Sequence, residues 1–344
     1  MPTLSTAPGP VRTGSAGRES YLRVLYIGGT GEISFDCIHE SARLGHDVTV
    51  FNRGHHNVGL PRSCRHIAGE VEDDARYGAL AGGHFDVVCQ FRLFTPEALR
   101  RDLAVFTGHC GQYVFISSAS AYRKPVRGLP ITEATPLDNP HWPYSRAKAE
   151  MEALLRRQSG LPFTIVRPSH TYRTRMPTPM ADNVEVSRLL RGKPVVVHGD
   201  GESLWTITHA EDFARPFARL LGAPRAVGEA FHITGDRSWS WNEIFEAIAA
   251  ALEVHRYSLV HVASDTLVRY RPEWAGPLLG DKSPSVAFDN RKVKAVVGAF
   301  DCPIDPWQGM RLVAERYPPS ASDHDPAIDA LLDRIVAEQD ALGR

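Results

Sequence analysis

Tyr144 and Lys148, separated by Ser145-Arg146-Ala147, are of a type and spacing that can do chemistry. On a helix, residues four apart lie on one face, one turn from each other. Pro143 suits the first turn of such a helix. An ordinary phenol has a pKa near 10, too high for a base at neutral pH. A nearby ammonium, or a cationic nicotinamide ring, favours the phenolate and lowers that value. The pair is therefore expected to hold an acidified phenol, able to take the proton of a secondary alcohol as hydride leaves the carbon. A strand from Gln112 to Ser117 is expected upstream, and it brings Ser117 and Ser118 to its end.

Hydride needs an acceptor, and the N-terminal part of the chain has the pattern for one. Gly28-Gly29-Thr30-Gly31-Glu32-Ile33-Ser34 follows an apolar run, Leu22 to Ile27, and opens a helical stretch. Glycines there let the backbone turn sharply and approach a pyrophosphate, whose charge rests on the helix N-terminus. The end of the next strand usually carries an acid for the ribose 2′-hydroxyl. Here it carries Asn52 and Arg53. Asn can bond the hydroxyl and Arg can hold a 2′-phosphate, so both NAD and NADP stay open as cofactor.

The elements that must position these residues alternate between strand and helix. Strands are expected at Leu22–Ile27, Asp47–Asn52, Phe85–Phe91, Gln112–Ser117 and Phe163–Arg167, with helices at Ile33–Leu44, Pro96–Gly108 and within 141–158. The predicted fold class is α/β: a Rossmann doubly wound parallel sheet with a smaller C-terminal α/β substrate lobe. Residues 1–20 read as a disordered tail, 21–168 as the dinucleotide-binding domain, and 169–344 mainly as the substrate lobe, with segments returning to the sheet.

Bulk properties narrow the class of function. The net charge of −1 offers no basic excess for nucleic acid, and no apolar run is long enough to span a membrane. Five cysteines without a C-x-x-C pair fit a reducing cytoplasm, the expected location. His55, His56, Cys64 and His66 lack a completing cluster, so no metal is expected.

On G-G-T-G-x-I, on Ile116-Ser117-Ser118-Ala119-Ser120-Ala121-Tyr122, on P-Y-x-x-x-K and on His198-Gly199-Asp200-Gly201, the chain resembles the extended short-chain dehydrogenase/reductases, the NAD-dependent epimerase/dehydratase family. The resemblance spans roughly residues 22 to 315. It implies Tyr144 as acid/base, Lys148 as its electrostatic partner and ribose ligand, and Ser118 as the hydrogen-bond partner of the substrate hydroxyl, with Ser117 and Ser120 beside it. It places Gly28, Thr30, Gly31, Glu32, Ile33, Asn52, Arg53, Glu70, Phe91, Ser117, Lys148 and Pro168 on the cofactor. It also implies a homodimer paired through the Tyr144 helix.

Several positions depart from that pattern. Trp205 stands where nucleotide-diphosphate-sugar enzymes usually have an Arg, and Leu279 precedes Gly280-Asp281 where a second Arg is common. Neither side chain can form a bidentate fork on pyrophosphate. Trp205 is expected either to stack on a base or sugar or to be buried in the core. Arg173, Arg175 and Lys282 are candidates to replace the missing charge, or are simply solvated. His170 replaces a substrate-facing Asn, and a His there can donate or titrate near neutrality. Ala119-Ser120 replaces the acidic pair of the dehydratases, which disfavours dehydration. Glu32 replaces an aromatic residue and is expected to point away from the phosphates. The leading expectation is an NAD(P)-dependent epimerase of a sugar, nucleotide sugar or nucleoside, acting through a keto intermediate on a substrate other than a standard diphosphate sugar. The alternatives are an NADP-dependent reductase or dehydrogenase and a non-catalytic RNA-binding relative.

Overall fold

A computed structural model describes residues 21–158, 160–180 and 183–342. The expected tail at 1–20 lies outside the described residues. Thirteen strands are found among them, and seven form the central sheet. These are β1 (Arg23–Ile27), β2 (Asp47–Asn52), β3 (Arg65–Ala68), β4 (Phe85–Gln90), β5 (Cys110–Ile116), β6 (Phe163–Pro168) and, much later in the chain, β11 (Ala230–Ile233). Their order is β11-β6-β5-β4-β1-β2-β3, and every pairing is parallel. The order reverses between β1 and β4, the switch point where ligands of such sheets bind.

Core burial explains the strand sequences. Val24, Leu25, Tyr26 and Ile27 are all fully buried, as are Val87, Val88 and Cys89. Strands covered by helices on both faces read as continuous apolar runs, and these do. β3 is an exposed edge strand of Arg-His-Ile-Ala, with no apolar pattern to announce it.

Of the first four helices, α1 (Ser34–Arg43) packs on one face of the sheet, and α2 (Asp74–Gly78), α3 (Pro96–Phe106) and α4 (Pro143–Arg157) pack on the other. Beyond β6, short strands pair two by two. β7 (His170–Tyr172) lies parallel to β10 (Ile207–His209), and β8 (Val195–His198) parallel to β13 (Leu259–Val262). β9 (Leu204–Trp205) runs antiparallel to β12 (Trp239–Ser240). Trp205, Trp239, Trp241, Phe245 and Phe288 share one apolar cluster with Tyr122 and Ile131. That cluster seats this second layer against the carboxyl edge of the sheet.

Candidate active site

The glycine loop joins β1 to α1 at the sheet edge. Gly28 has φ +82°, and a Cβ there would run into the Arg92 side chain. A Cβ on Gly29 would strike Ile38 and Val50, so this glycine lets α1 lie close on the sheet. Gly31 meets nothing nearer than the Ser34 hydroxyl at 3.6 Å. Ser34 has a specific task in the turn: its Oγ accepts from Gly31 N and donates to Gly28 O, both at 3.0 Å. No side chain caps α1; Phe35 N donates to Gly31 O at 3.3 Å, and the other N–H groups of its first turn are left for an anion.

A cleft of about 700 Å³ opens above this loop. Gly28, Thr30, Gly31, Glu32, Ile33, Asn52, Arg53, Glu70, Phe91, Ser117, Ser118, Tyr144, Lys148 and Pro168 all line it. These are all the cofactor residues expected from sequence, together with the candidate catalytic three. A glycine cradle, free helix amides and a cleft of this size fit a nicotinamide dinucleotide. His55, His56, Arg92, Phe94 and Ser169 line it as well. Of these, Arg92 had a readable signal, since it directly follows Phe91 at the end of β4.

Asn52 and Arg53 stand differently in the cleft. The Asn52 carboxamide is held by Asn57, Gly54 N and His66 Nε2. Arg53 is exposed. Glu32 turns its carboxylate away from the loop and accepts from Arg173 N at 2.9 Å, from Thr174 N at 2.8 Å and from the Thr174 hydroxyl. This contact ties the glycine loop to the segment after β7.

A second cavity, about 260 Å³, lies beyond Tyr144 and Ser118. Ser118, Tyr144, Pro168 and Ser169 line both cavities and so form the wall between them. Ser120, His170 and Trp205 line the second one, as expected of substrate residues, along with Lys124, Trp142, Asp281, Lys282 and Phe288.

Three expectations are corrected here. First, the Tyr144 phenol is not acidified in the protein alone. Burial pushes its pKa up to about 12, and the hydrogen bond with Ser118 only partly offsets this. The Lys148 ammonium is buried and bonded to the carbonyls of Leu93 (2.7 Å) and Ile116 (2.8 Å), with Nζ 5.5 Å from the Tyr144 ring centre. Burial brings its pKa down to about 7, against the attraction of Glu152 one turn further along α4. Glu152 is itself fixed by Arg167 at 2.5 Å and by the Ser117 hydroxyl at 2.6 Å.

Second, Arg173 does not line the smaller cavity. Its guanidinium lies over Phe35, near Tyr317, and its Nε is 3.3 Å from Asp36. With Arg175 it lines a separate hollow beside α1, where Arg173 answers the local carboxylate. Third, His170 does not titrate near neutrality. Burial lowers its pKa to about 3, with a contribution from Lys282, and its Nδ1 accepts from Trp205 Nε1 at 3.1 Å. Trp205 follows the core reading made of it. It is 2 % exposed and stacked on Trp241, yet contributes to the cavity wall.

Lys124 was missed by sequence reasoning. It directly follows the Ser-Ser-x-x-x-Tyr-Arg run, but only the fold brings it to Asp281.

Comparison with known proteins agrees with this geometry. The chain is 28% identical to the chloroplast stem-loop binding protein of 41 kDa b of Arabidopsis thaliana, over 70% of its own length and 66% of that protein's. It is also 28% identical to the 2'-dehydrokanamycin reductase of Streptomyces kanamyceticus, over 68% of each chain. It thus spans about two thirds of the length of these relatives. The fold matches that of a UDP-glucose 4-epimerase of Thermotoga maritima, with a TM-score of 0.69 at 21% identity, over 86% of this chain and 98% of that one. The model of the NAD dependent epimerase/dehydratase family matches residues 24–234, more than half of the sequence, and the chain belongs to that family.

Proposed function

We propose that the protein is an NAD(P)-dependent epimerase acting on a secondary hydroxyl of a sugar or sugar-like substrate through a transient ketone. One observation carries the reading: Tyr144 and Ser118 form the wall between the dinucleotide cleft and the smaller cavity. A substrate in the small cavity presents its hydroxyl to both groups. The bound dinucleotide supplies the hydride acceptor and donor. Tyr144 takes the hydroxyl proton and returns it after the ketone has turned over. Ser118 orients the oxygen. Lys148 sits one turn behind the phenol and supports its negative charge while protonated.

Glu32 favours epimerisation over reduction. An epimerase keeps its cofactor through the cycle, and the Glu32 contact ties the glycine loop of the cleft to residues 173–174, which would slow its opening. A dehydratase is disfavoured, because Ala119 and Ser120 offer no carboxylate next to Ser118. The reductase reading draws on Arg53 in the cleft and on the absence of an acid at the end of β2. The similarity to a stem-loop binding protein supports an RNA-binding reading, in which Tyr144 and Lys148 would be idle.

The test is mass spectrometry of small molecules released from the denatured protein, joined to turnover without added cofactor. Released NAD or NADP with cofactor-independent turnover is expected. Stoichiometric consumption of added NADPH selects the reductase. Salt-sensitive RNA binding without turnover sinks both enzymatic readings.

A further inference from the structure

We infer that the small cavity is an anion site, and that the substrate carries a carboxylate or phosphate group held by Lys124 and Lys282. This deepens the functional reading above and rests on it for the placement of the substrate. Lys124 is only 4 % exposed and lines the cavity. Its ammonium has a carbonyl, that of Asp281, at 3.5 Å, the outer limit of a hydrogen bond. Lys282 lines the same cavity, with its Nζ 3.5 Å from the Asp281 carboxylate and about 6 Å from the ring centres of Trp142 (5.8 Å) and Trp205 (6.0 Å). His170 stays neutral at the same wall. Two lysines and one aspartate thus line the cavity, and Asp281 has its carboxylate on Lys282 and only its carbonyl on Lys124. Burial pulls the Lys124 pKa down against the attraction of Asp281, and an anion beside it would hold the proton on.

A buried charge is costly unless paired. Asp281 can pair with one lysine, and an anionic ligand is the natural partner of the other. The Thr171 hydroxyl, also on the lining, is buried without a hydrogen-bond partner, which leaves a donor for the same ligand. Size restricts that ligand further. At about 260 Å³ the cavity has room for a sugar ring and a small charged group. The two tryptophans give the ring faces to pack on.

Intrinsic tryptophan fluorescence reads the site directly, because Trp142 and Trp205 line it. The full-length protein, saturated with NAD, is titrated with D-glucuronate, D-glucose 6-phosphate and D-glucose. At least one anion is expected to bind about tenfold or more tighter than glucose. The carboxylate and phosphate arms identify which group the cavity takes. The preference should fall several-fold in Lys282→Met, whose side chain is less buried than that of Lys124, and vanish in Lys124→Met, with circular dichroism confirming that both variants are folded. Equal binding of all three sugars, absence of anion binding at millimolar concentration, or a preference that survives both substitutions overturns the inference. If the preference holds but the denatured protein releases no dinucleotide, the anion site stands and the epimerase reading falls.

Discussion

The two cavities on either side of Tyr144 are built in different ways. The dinucleotide cleft is made largely of backbone: the Gly28–Gly31 turn, the uncapped start of α1 and the ends of β1, β2 and β4. The substrate cavity is made of side chains drawn from segments far apart in the chain, among them Lys124, Trp142, His170, Trp205 and Lys282. A backbone site demands a fixed local sequence, whereas a side-chain site can change its ligand with one substitution. That difference explains why a family can keep its cofactor and vary its substrate.

The largest effect should come from breaking the wall the cavities share. Tyr144→Phe removes the only phenol among the described residues that lines both, and general acid/base catalysis is worth about 10²–10⁴-fold. Turnover should fall by about that factor, while dinucleotide binding, read by equilibrium titration, stays within about twofold. A variant that loses cofactor and turnover together would show that the wall is a packing element alone.

Gly28→Ala should break one side of the comparison and spare the other. Non-glycine residues pay about 1–2 kcal/mol for a left-handed backbone, and the new Cβ must also displace Arg92. Dinucleotide affinity is expected to fall about tenfold. Sugar binding to the small cavity, followed by tryptophan fluorescence, should be unchanged. Equal losses on both sides would mean that the cavities are not independently built.

Much of this contrast was legible from sequence. The apolar runs of β1 and β4 and the glycine spacing are local features, and each fell in place within a residue or two. β3 was not legible, since its four residues are exposed and carry no alternation. Arg173 was misplaced because the partner that draws it away, Asp36, sits on α1, and no spacing within the loop reveals it. Lys124 acquires meaning only beside Asp281. The acidity of Tyr144 was misjudged for a related reason: residue spacing shows which charges are near, but not how much water burial removes.

Burial of Lys148 gives a pH signature that sharpens the picture of the wall. Its folded pKa, about 7, lies below the ordinary lysine value of 10.5. Between these values the unfolded chain holds a proton that the folded chain has released. Stability attributable to this group therefore rises with pH from about 7 towards 10.5, and is lowest below 7. Relative to Lys148→Met, the wild type should gain at most about 1.4 kcal/mol per pH unit across that window. Urea unfolding of both proteins at pH 7 and pH 9 measures the difference. A flat difference would mean that Lys148 keeps its proton throughout and stands as a permanent cation behind the phenol.

The smallest effect, and the one that best separates epimerase from reductase, concerns Glu32. Its carboxylate has two opposed influences on a dinucleotide. It repels the phosphates of any ligand at the Gly28–Gly31 turn, and it ties that turn to residues 173–174 through two backbone N–H groups and a hydroxyl. Hydrogen bonds to a charged acceptor are worth about 1.5–3 kcal/mol each in favourable settings. A half-buried carboxylate gains less Coulomb energy than one in a dry core. If the latch dominates, Glu32→Ala should speed release of bound dinucleotide about fivefold to tenfold in stopped-flow fluorescence, consistent with the tenfold change that 1.4 kcal/mol produces. An epimerase would lose turnover as its cofactor leaks away, with recovery on adding free NAD or NADP. A reductase limited by cofactor exchange would run faster. Slower release in the variant would show that repulsion outweighs the latch, and that the cleft opens from another side.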